Sequence, residues 1–266
     1  MTAARLTGWV CRKSTSVRFS NLTAMAAKSI RHRDQPGYVL HSYPYQETSL
    51  IVEVFTREFG RVAMVAKGAK RPHSPLRAAL MPFHALTLDW SGRADLKTLR
   101  TAEWRGAFRL LTGRALICGF YLNELLLKLL HRDDAHDALF DAYEQTLQAL
   151  LDGGDQAVVL RQFEKRLLGE LGYALMLDRD AEAARPLHPN RRYHYIIDRG
   201  PVPAPPDAQQ NGLELLGQTL IDMHADDYTS PVTQQQSKSL MRHLIGHYLG
   251  HQTLHSRQLL IDLHDL

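Results

Sequence analysis

Residues 60–77, Gly60-Arg-Val-Ala-Met-Val-Ala-Lys-Gly-Ala-Lys-Arg-Pro-His-Ser-Pro-Leu-Arg77, join an apolar strand to a cationic loop. Val62, Met64 and Ala66 alternate with the residues between them, and this period of two is typical of a half-buried strand. Three helix- and strand-breaking residues then end the strand and start a loop: Gly68, Pro72 and Pro75. The loop carries Lys67, Lys70, Arg71, His73 and Arg77. Such a loop suits a polyanion, because each bound cation displaces a counterion from phosphate; the alternative is a solvated basic loop.

The segments around this stretch predict a small β-barrel. Together with the strand of the opening stretch, the predicted strands are Tyr38–Tyr43, Thr48–Thr56, Phe83–Trp90 and Leu96–Ala102. A helical turn is expected at Leu76–Leu80 in the long loop. Five short strands separated by turns favour a barrel or sandwich, and an oligonucleotide-binding (OB) barrel is the natural candidate.

The periodicity changes to helical from about Arg114. Residues 115–130 are apolar nearly all round, which indicates a central buried helix. The other predicted helices are 135–151, 155–171, 209–223 and 233–249, with a last turn at 257–263 and a short hairpin at 193–198. The expected fold class is α+β: a basic, disordered extension over 1–35, an OB-fold domain over 36–110, and a mainly helical domain over 111–266 with an irregular insertion at about 175–206.

Charge is distributed unevenly along the chain. Residues 1–110 carry a net charge of +11 and residues 111–266 a net charge of −7. A basic front half suggests a nucleic-acid surface, and an acidic back half suggests a different partner. The first 24 residues are interpreted as a tail or as an artefact of a start that belongs at Met25, in preference to a transit peptide.

Two cysteines and no long apolar run limit the classes of protein. Cys11 and Cys118 give neither a disulfide framework nor a cysteine-based zinc site, which fits a reducing cytosol. No apolar run reaches the roughly 18 residues that span a bilayer. We therefore expect no membrane association and no cofactor.

The sequence contains none of the common catalytic motifs for phosphate loops, dinucleotide sites or nucleophile elbows. The pairs Asp133-Asp134 and Asp226-Asp227 resemble metal-binding carboxylates but fall at predicted helix ends, where exposed acidic turns are common. The row His243, His247 and His251 has ligand spacing on a helix, yet neither carboxylate nor cysteine completes it. We predict no metal site.

Further cations are expected on or beside the fourth and fifth strands: Arg93, Lys97 and Arg100. An OB barrel binds single strands in a groove where cations follow the backbone and aromatic rings stack on bases. Tyr43 and Trp90 are candidate stacking rings, with core packing as the alternative role for each. The predicted DNA-binding residues are Lys67, Lys70, Arg71, Arg77, Arg93, Lys97 and Arg100.

An ordered series of segments resembles the bacterial RecO family of recombination mediators. The series begins with Gly37-Tyr-Val-Leu-His-Ser-Tyr-Pro-Tyr-Gln-Glu-Thr-Ser-Leu50 and Val54-Phe-Thr-Arg-Glu-Phe-Gly-Arg-Val62. It continues through Val65-Ala-Lys-Gly-Ala-Lys70, Lys97-Thr-Leu-Arg-Thr-Ala-Glu103, Tyr121-Leu-Asn-Glu-Leu125, Leu160-Arg-Gln-Phe-Glu164, Leu168-Gly-Glu-Leu-Gly-Tyr173 and Ser256-Arg-Gln-Leu259. The resemblance covers about residues 36–260.

The resemblance implies a non-enzymatic protein of the bacterial cytoplasm and nucleoid. It implies binding to single- and double-stranded DNA, annealing of complementary strands, association with RecR, and help in loading RecA onto strands coated by the single-stranded DNA-binding protein SSB. Many members carry a four-cysteine zinc module at about 175–206. This chain has no cysteine there, so it looks like the zinc-free branch.

The resemblance also implies a site for the acidic tail of SSB, which ends in an aromatic residue and a free carboxylate. It places Arg161 at that carboxylate, with Leu160 and Lys165 beside it; the alternative is that Arg161 is an ordinary exposed helix cation. Two other functions stay open: a protein-interaction adaptor whose barrel binds no DNA, and a metal-dependent nuclease built on the acidic pairs.

Overall fold

A computed structural model describes residues 30–204, 213–250, 252–256 and 258 of the chain. Its first half is a closed five-stranded barrel. The strands are β1 (Arg31–Tyr45), β2 (Ser49–Thr56), β3 (Gly60–Ala66), β4 (Leu86–Ser91) and β5 (Leu96–Trp104), with a short helix, α1 (Pro75–Ala79), between β3 and β4. The strand order is β1-β2-β3-β5-β4, with β3 and β5 parallel and the other pairs antiparallel. The predicted OB-type barrel is confirmed.

The barrel interior is filled by the inward residues of the alternating strands. Fully buried members include Val52, Val54, Val62, Met64, Leu86, Leu88 and Trp90. Only 1% of Trp90 is exposed. This ring is therefore core packing, and its candidate role as a base-stacking ring is wrong.

The first strand begins earlier than its pattern indicates, and the fourth begins later. Arg31 pairs with Ser91, and the ring of His32 stacks on Trp90 at 5.0 Å, so Arg31–Gln35 lie within β1. The predicted start of β4 at Phe83 is wrong, because Phe83 has a φ of +68°, a left-handed conformation outside the strand region. The predicted basic extension otherwise lies outside the described residues.

The second half is mainly helical. It contains α2 (Gly113–Leu129), α3 (Asp137–Leu151), α4 (Gln156–Glu170), β6 (Arg192–Ile196), β7 (Gly200–Pro203), β8 (Leu213–Leu216), α5 (Gly217–His224) and α6 (Pro231–Leu249). Strand β6 lies between β7 and β8 in a small antiparallel sheet. No described helix is long and apolar enough to cross a membrane.

The structure corrects the predicted helix over 209–223. Residues 213–216 form β8, paired with β6, and the helix begins at Gly217. The predicted hairpin at 193–198 corresponds to the hairpin formed by β6 and β7, which extends to Pro203. The predicted last turn lies, apart from Gln258, outside the described residues.

The outer face of the barrel packs into the hydrophobic core of the helices, separately from the barrel interior. Leu40 and Phe55 of the barrel belong to the same buried cluster as Phe140 and Tyr143 of α3. Asn123 of α2 donates from Nδ2 to the Leu40 carbonyl at 2.9 Å and accepts at Oδ1 from the Tyr143 hydroxyl at 2.6 Å. These buried hydrogen bonds fix the barrel on the central helix, so the barrel presents a defined outer surface.

The β2–β3 turn also contacts the connection between α2 and α3. Gly60 has a φ of +60°, and a Cβ there would lie 1.7 Å from the Asp134 carbonyl oxygen. Only glycine permits this approach. The close contact sets one end of the barrel against the helical domain, and β3 runs from this end towards the opposite one.

Candidate nucleic-acid interface

The basic loop after β3 is a chain of reverse turns with a defined backbone. The Arg71 amide donates to the Gly68 carbonyl at 3.1 Å, and the Ser74 amide donates to the Arg71 carbonyl at 3.1 Å. Ala69 is fully buried in the barrel core, and the Lys70 amide donates to the Thr48 carbonyl at 2.9 Å. The loop is thus anchored at both the core and the β1–β2 turn.

Four cations project from this anchored backbone. Lys67, Lys70, Arg71 and Arg77 are all exposed. None of them forms an ion pair with a described carboxylate, whereas ten of the other 18 described arginines do. Their charge is uncompensated within the described structure, so this end of the barrel can attract a polyanion.

The strand register adds Arg100 to this group. Val65 of β3 lies beside Thr98 of β5, and both strands run in the same direction. Lys67 follows the last residue of β3, and Arg100 lies two residues beyond Thr98 on β5, so both lie past the last paired level of these two strands. Arg100 is exposed, and its Nε donates to the Ser91 hydroxyl at 2.9 Å. We call Lys67, Lys70, Arg71, Arg77 and Arg100 the cationic edge.

Next to the cationic edge lies a row of cross-strand neighbours whose side chains alternate with those of the barrel interior. The register places Tyr43, Ile51, Val65 and Thr98 side by side across β1, β2, β3 and β5. Tyr43 is 45% exposed and has an edge contact with the His41 ring at 4.4 Å. Of these residues only Tyr43 was singled out from the sequence. That the other three residues lie beside Tyr43 follows only from the pairing between strands. The alternation of residues within a single strand does not reveal this pairing.

Two of the predicted DNA-binding residues lie away from the cationic edge. Lys97 is only 9% exposed, and its Nζ lies 2.5 Å from Oδ1 of Asp133 in the helical domain. This ion pair therefore joins the barrel to the helical domain. Arg93 is exposed in the β4–β5 turn, before the start of β5 and thus towards the junction end of the barrel. We leave Lys97 out of the proposed DNA contacts.

The candidate metal ligands have other partners. Asp133 pairs with Lys97, Asp226 accepts from Lys165, and Asp227 accepts from the backbone and hydroxyl of Thr229. His243 and His247 are exposed on α6, and His251 lies outside the described residues. Across the described ranges, no group of three or more His, Cys, Asp or Glu side chains could hold a metal ion.

The predicted tail-binding residues on α4 already have intramolecular partners. Nη2 of Arg161 donates to Oε1 of Glu164 at 2.6 Å, and the Tyr121 hydroxyl donates to the same oxygen at 2.6 Å. Burial raises the pKa of Glu164, against the opposing effects of Arg161 and Tyr121. Lys165 donates to the Met223 carbonyl and to Asp226. Leu160 is 8% exposed and belongs to the core.

A groove of about 840 Å³ lies on the neighbouring face of α4, against α3. Its floor includes Val159, Phe163 and Leu177, and its rim carries Lys165 and Arg166. The Arg166 side chain is 56% exposed and pairs loosely with Glu170 at 3.3 Å. Arg161 and Leu160 are absent from the groove lining. The lining also includes the carboxylates of Asp141, Glu170 and Asp226. The cation assigned by resemblance thus lies outside this mixed polar and apolar groove.

Comparisons with known proteins agree with this architecture. The family models for "Recombination protein O N terminal" and "Recombination protein O C terminal" match residues 31–108 and 110–258. The chain is 54% identical to the DNA repair protein RecO of Nitrosospira multiformis over 236 residues, covering 89% of this chain and 98% of that protein. It is 50% identical to the protein of the same name from Azoarcus sp. over 244 residues, covering 91% and 100%. The chain belongs to the RecO family.

Proposed function

We propose that this RecO-family protein is a recombination mediator that binds single- and double-stranded DNA along the cationic edge and anneals complementary strands. The observation that supports the proposal best is the set of exposed cations that follow β3 and pair with no carboxylate among the described residues. Phosphate neutralisation by such cations releases counterions and drives binding without reading sequence. The RecO name of the relatives, as DNA repair proteins, agrees with this chemistry.

Annealing requires no chemical step at the protein. Two strands repel each other through their phosphates, and cations on the cationic edge reduce that repulsion while the strands pair. The adjoining row offers the exposed Tyr43 ring, against which an unpaired base can lie. Turnover of a cofactor or metal has no part in this proposal.

Partner proteins complete the proposed activity. We propose that the protein acts with RecR in the bacterial cytoplasm and at the nucleoid, and helps to load RecA onto SSB-coated strands. The acidic tail of SSB is proposed to bind the helical domain along α4. The α3–α4 groove supports this role, because its apolar floor suits an aromatic residue and Arg166 at its rim can grip a carboxylate.

An annealing assay tests the proposed function. Complementary oligonucleotides are mixed bare or coated with SSB, and duplex formation is followed by fluorescence energy transfer. A mediator should accelerate annealing of both substrates. Failure to accelerate either substrate, with the protein shown to be folded, would overturn the proposal.

A protein-interaction adaptor is the second candidate, and the same groove on α4 supports it. An adaptor would bind the SSB tail but would show no salt-dependent affinity for bare DNA. The slope of log affinity against log salt therefore separates the two functions, since phosphate contacts give a negative slope and an adaptor gives no measurable DNA binding.

A further inference from the structure

Three aromatic rings form a stacked cluster where the barrel leads into the helical domain. The ring of His84 lies 4.7 Å from Phe108 with an interplanar angle of 18°, and 5.9 Å from Trp104 at 28°. Trp104 and Phe108 lie 5.0 Å apart at 34°. Each outer ring thus stacks on His84, and the two outer rings are tilted against each other. We call Trp104 and Phe108, resting on His84, the linker platform.

The platform is rigid at its base and open above it. His84 is only 7% exposed, and its Nδ1 lies 2.9 Å from the Pro82 carbonyl oxygen. The Trp104 indole donates from Nε1 to the Ala79 carbonyl at 3.2 Å. In contrast, Trp104 is 46% and Phe108 is 52% exposed. Half of each outer ring is therefore offered to solvent in a fixed orientation.

Folding alone does not account for these exposed rings. A large aromatic side chain gains most from burial, and a group of exposed apolar residues commonly marks a binding surface. Met81 and Leu110 flank the same region and are 37% and 53% exposed. The platform therefore has the character of a surface that a ligand covers.

The platform is linked to residues of the cationic edge through α1 and β5. Ala79, which holds the Trp104 indole, lies in α1 two residues after Arg77. Arg100 precedes Trp104 by four residues on β5, or roughly 13 Å at the rise of a strand. Arg105 and Arg109 follow Trp104 and Phe108 directly in the sequence, and both stay exposed although they pair with Glu144 and Asp152. The rings thus have cations near them in the chain on α1, on β5 and in the segment that follows β5.

We propose that the linker platform is a base-stacking site for single-stranded nucleic acid whose phosphates lie on the cationic edge. A base is planar and can stack on the exposed face of Trp104 or Phe108, and every base offers such a face regardless of sequence. The adjoining uncompensated cations favour a polyanion over an apolar protein segment. This inference rests on the proposed DNA binding and deepens it, because it adds a contact with bases to the contacts with phosphates.

The test compares two ligands of equal charge, oligothymidylate and an abasic oligonucleotide of the same length. Trp104→Ala and Phe108→Ala should each weaken oligothymidylate binding by roughly 5- to 150-fold, the range measured for loss of one stacked base. Binding of the abasic strand and the salt slope should stay unchanged, since the phosphate contacts remain. Trp104→Phe keeps a ring and should recover most of the affinity.

Tyr173→Ala is the matched control. Tyr173 is also 44% exposed and stacks on Tyr248 at 3.9 Å, but it lies in the helical domain away from α1 and β5. The Tyr173→Ala variant should bind oligothymidylate with the affinity of the wild type. Equal oligothymidylate affinity in all variants would overturn the stacking site and favour a protein partner there, and equal losses on both ligands would also overturn it. Wild-type protein that binds neither ligand would overturn the proposed function itself.

Discussion

Arg161 and Glu164, one turn apart on α4, form an ion pair inside the helical domain. Nη2 of Arg161 lies 2.6 Å from Oε1 of Glu164, and the two side chains are only 12% and 1% exposed. The second carboxylate oxygen, Oε2, is buried and has no hydrogen-bond partner among the described residues. The buried carboxylate of Glu164 has only two hydrogen-bond donors among the described residues, the Arg161 guanidinium and the Tyr121 hydroxyl. Arg161 therefore has a structural role even without a bound partner.

Arg161→Ala should therefore destabilise the protein. Removing one partner of a buried ion pair costs about 3–5 kcal/mol, because the remaining charge is uncompensated. Urea denaturation should show this loss, whereas Arg166→Ala, an exposed change on the same helix, should stay within about 0.5 kcal/mol of wild type. Replacing Arg161 and Glu164 together by Leu should recover most of the stability. Equal stability of Arg161→Ala and Arg166→Ala would contradict the structural role.

The same pair predicts a pH dependence of stability. Burial raises the pKa of Glu164 above its value in the unfolded chain. A group with a raised pKa in the folded state contributes stability at low pH that is lost as pH rises through the folded pKa. Glu164→Gln lacks this titration, so its stability relative to wild type should increase as pH rises from about 4.5, the ordinary glutamate pKa.

Denaturation of both proteins across a pH series measures this difference. The comparison isolates Glu164, because carboxylates whose pKa is lowered, such as Asp152 beside Gln148 and Arg109, contribute equally to both proteins. A stability difference that stays constant between pH 4 and pH 8 would show that Glu164 has an ordinary pKa.

The junction between the two domains gives another stability prediction. Glu53 of β2 is only 2% exposed, accepts from Nη1 of Arg61 at 3.4 Å, and also accepts from Arg132. Glu53→Ala should cost about 3 kcal/mol or more in urea denaturation, because it leaves two neighbouring guanidinium groups without their shared carboxylate. Glu47→Ala, an exposed change in the β1–β2 turn, is the control. A loss no larger than that of the control would show that the junction does not depend on this carboxylate.

The sequence predicted elements well where one strand or helix carries its own pattern. Alternation in Val62, Met64 and Ala66 and the apolar run of α2 were enough to place the barrel and the central helix. Arg31–Gln35 are polar, and they join β1 only because β4 lies beside them. Residues 213–216 have no alternation that separates a strand from a helix start, and pairing with β6 decides their structure.

The candidate site was predictable only in part, for a related reason. The basic composition of the loop after β3 is local, so its exposed cations could be named in advance. Lys97 lies two residues before Leu99, so alternation along β5 could have predicted that both side chains are buried. The contact of Lys97 with Asp133 could not be predicted, because it depends on how the two domains pack. The exposure of Trp104 and Phe108 likewise depends on which surfaces the helices leave uncovered.

The cationic edge is tested by Lys70→Ala combined with Arg71→Ala. The double variant should weaken binding to all DNA sequences alike and make the log-log salt slope shallower by up to about 0.7 per lost contact on single strands. Lys238→Ala combined with Arg242→Ala removes the same charge from the exposed face of α6 and should leave the slope unchanged. Identical slopes and affinities in the two double variants would remove the loop from the DNA site.

Binding of a peptide with the acidic tail sequence of SSB shows whether Arg161 or Arg166 of α4 holds the terminal carboxylate. The resemblance assigns the terminal carboxylate to Arg161, whereas the geometry of the groove favours Arg166, which lies at the rim and is exposed. Arg166→Ala should weaken a labelled tail peptide by about 1.5–3 kcal/mol, the range for a charge-assisted hydrogen bond. An amidated peptide, which lacks the carboxylate, should bind wild type and Arg166→Ala equally weakly. Bare-DNA annealing should persist in Arg166→Ala while annealing of SSB-coated strands falls. If fluorescence anisotropy instead shows the loss in Arg161→Ala, measured where that variant is still folded, the groove assignment is wrong and the carboxylate competes with Glu164 for Arg161.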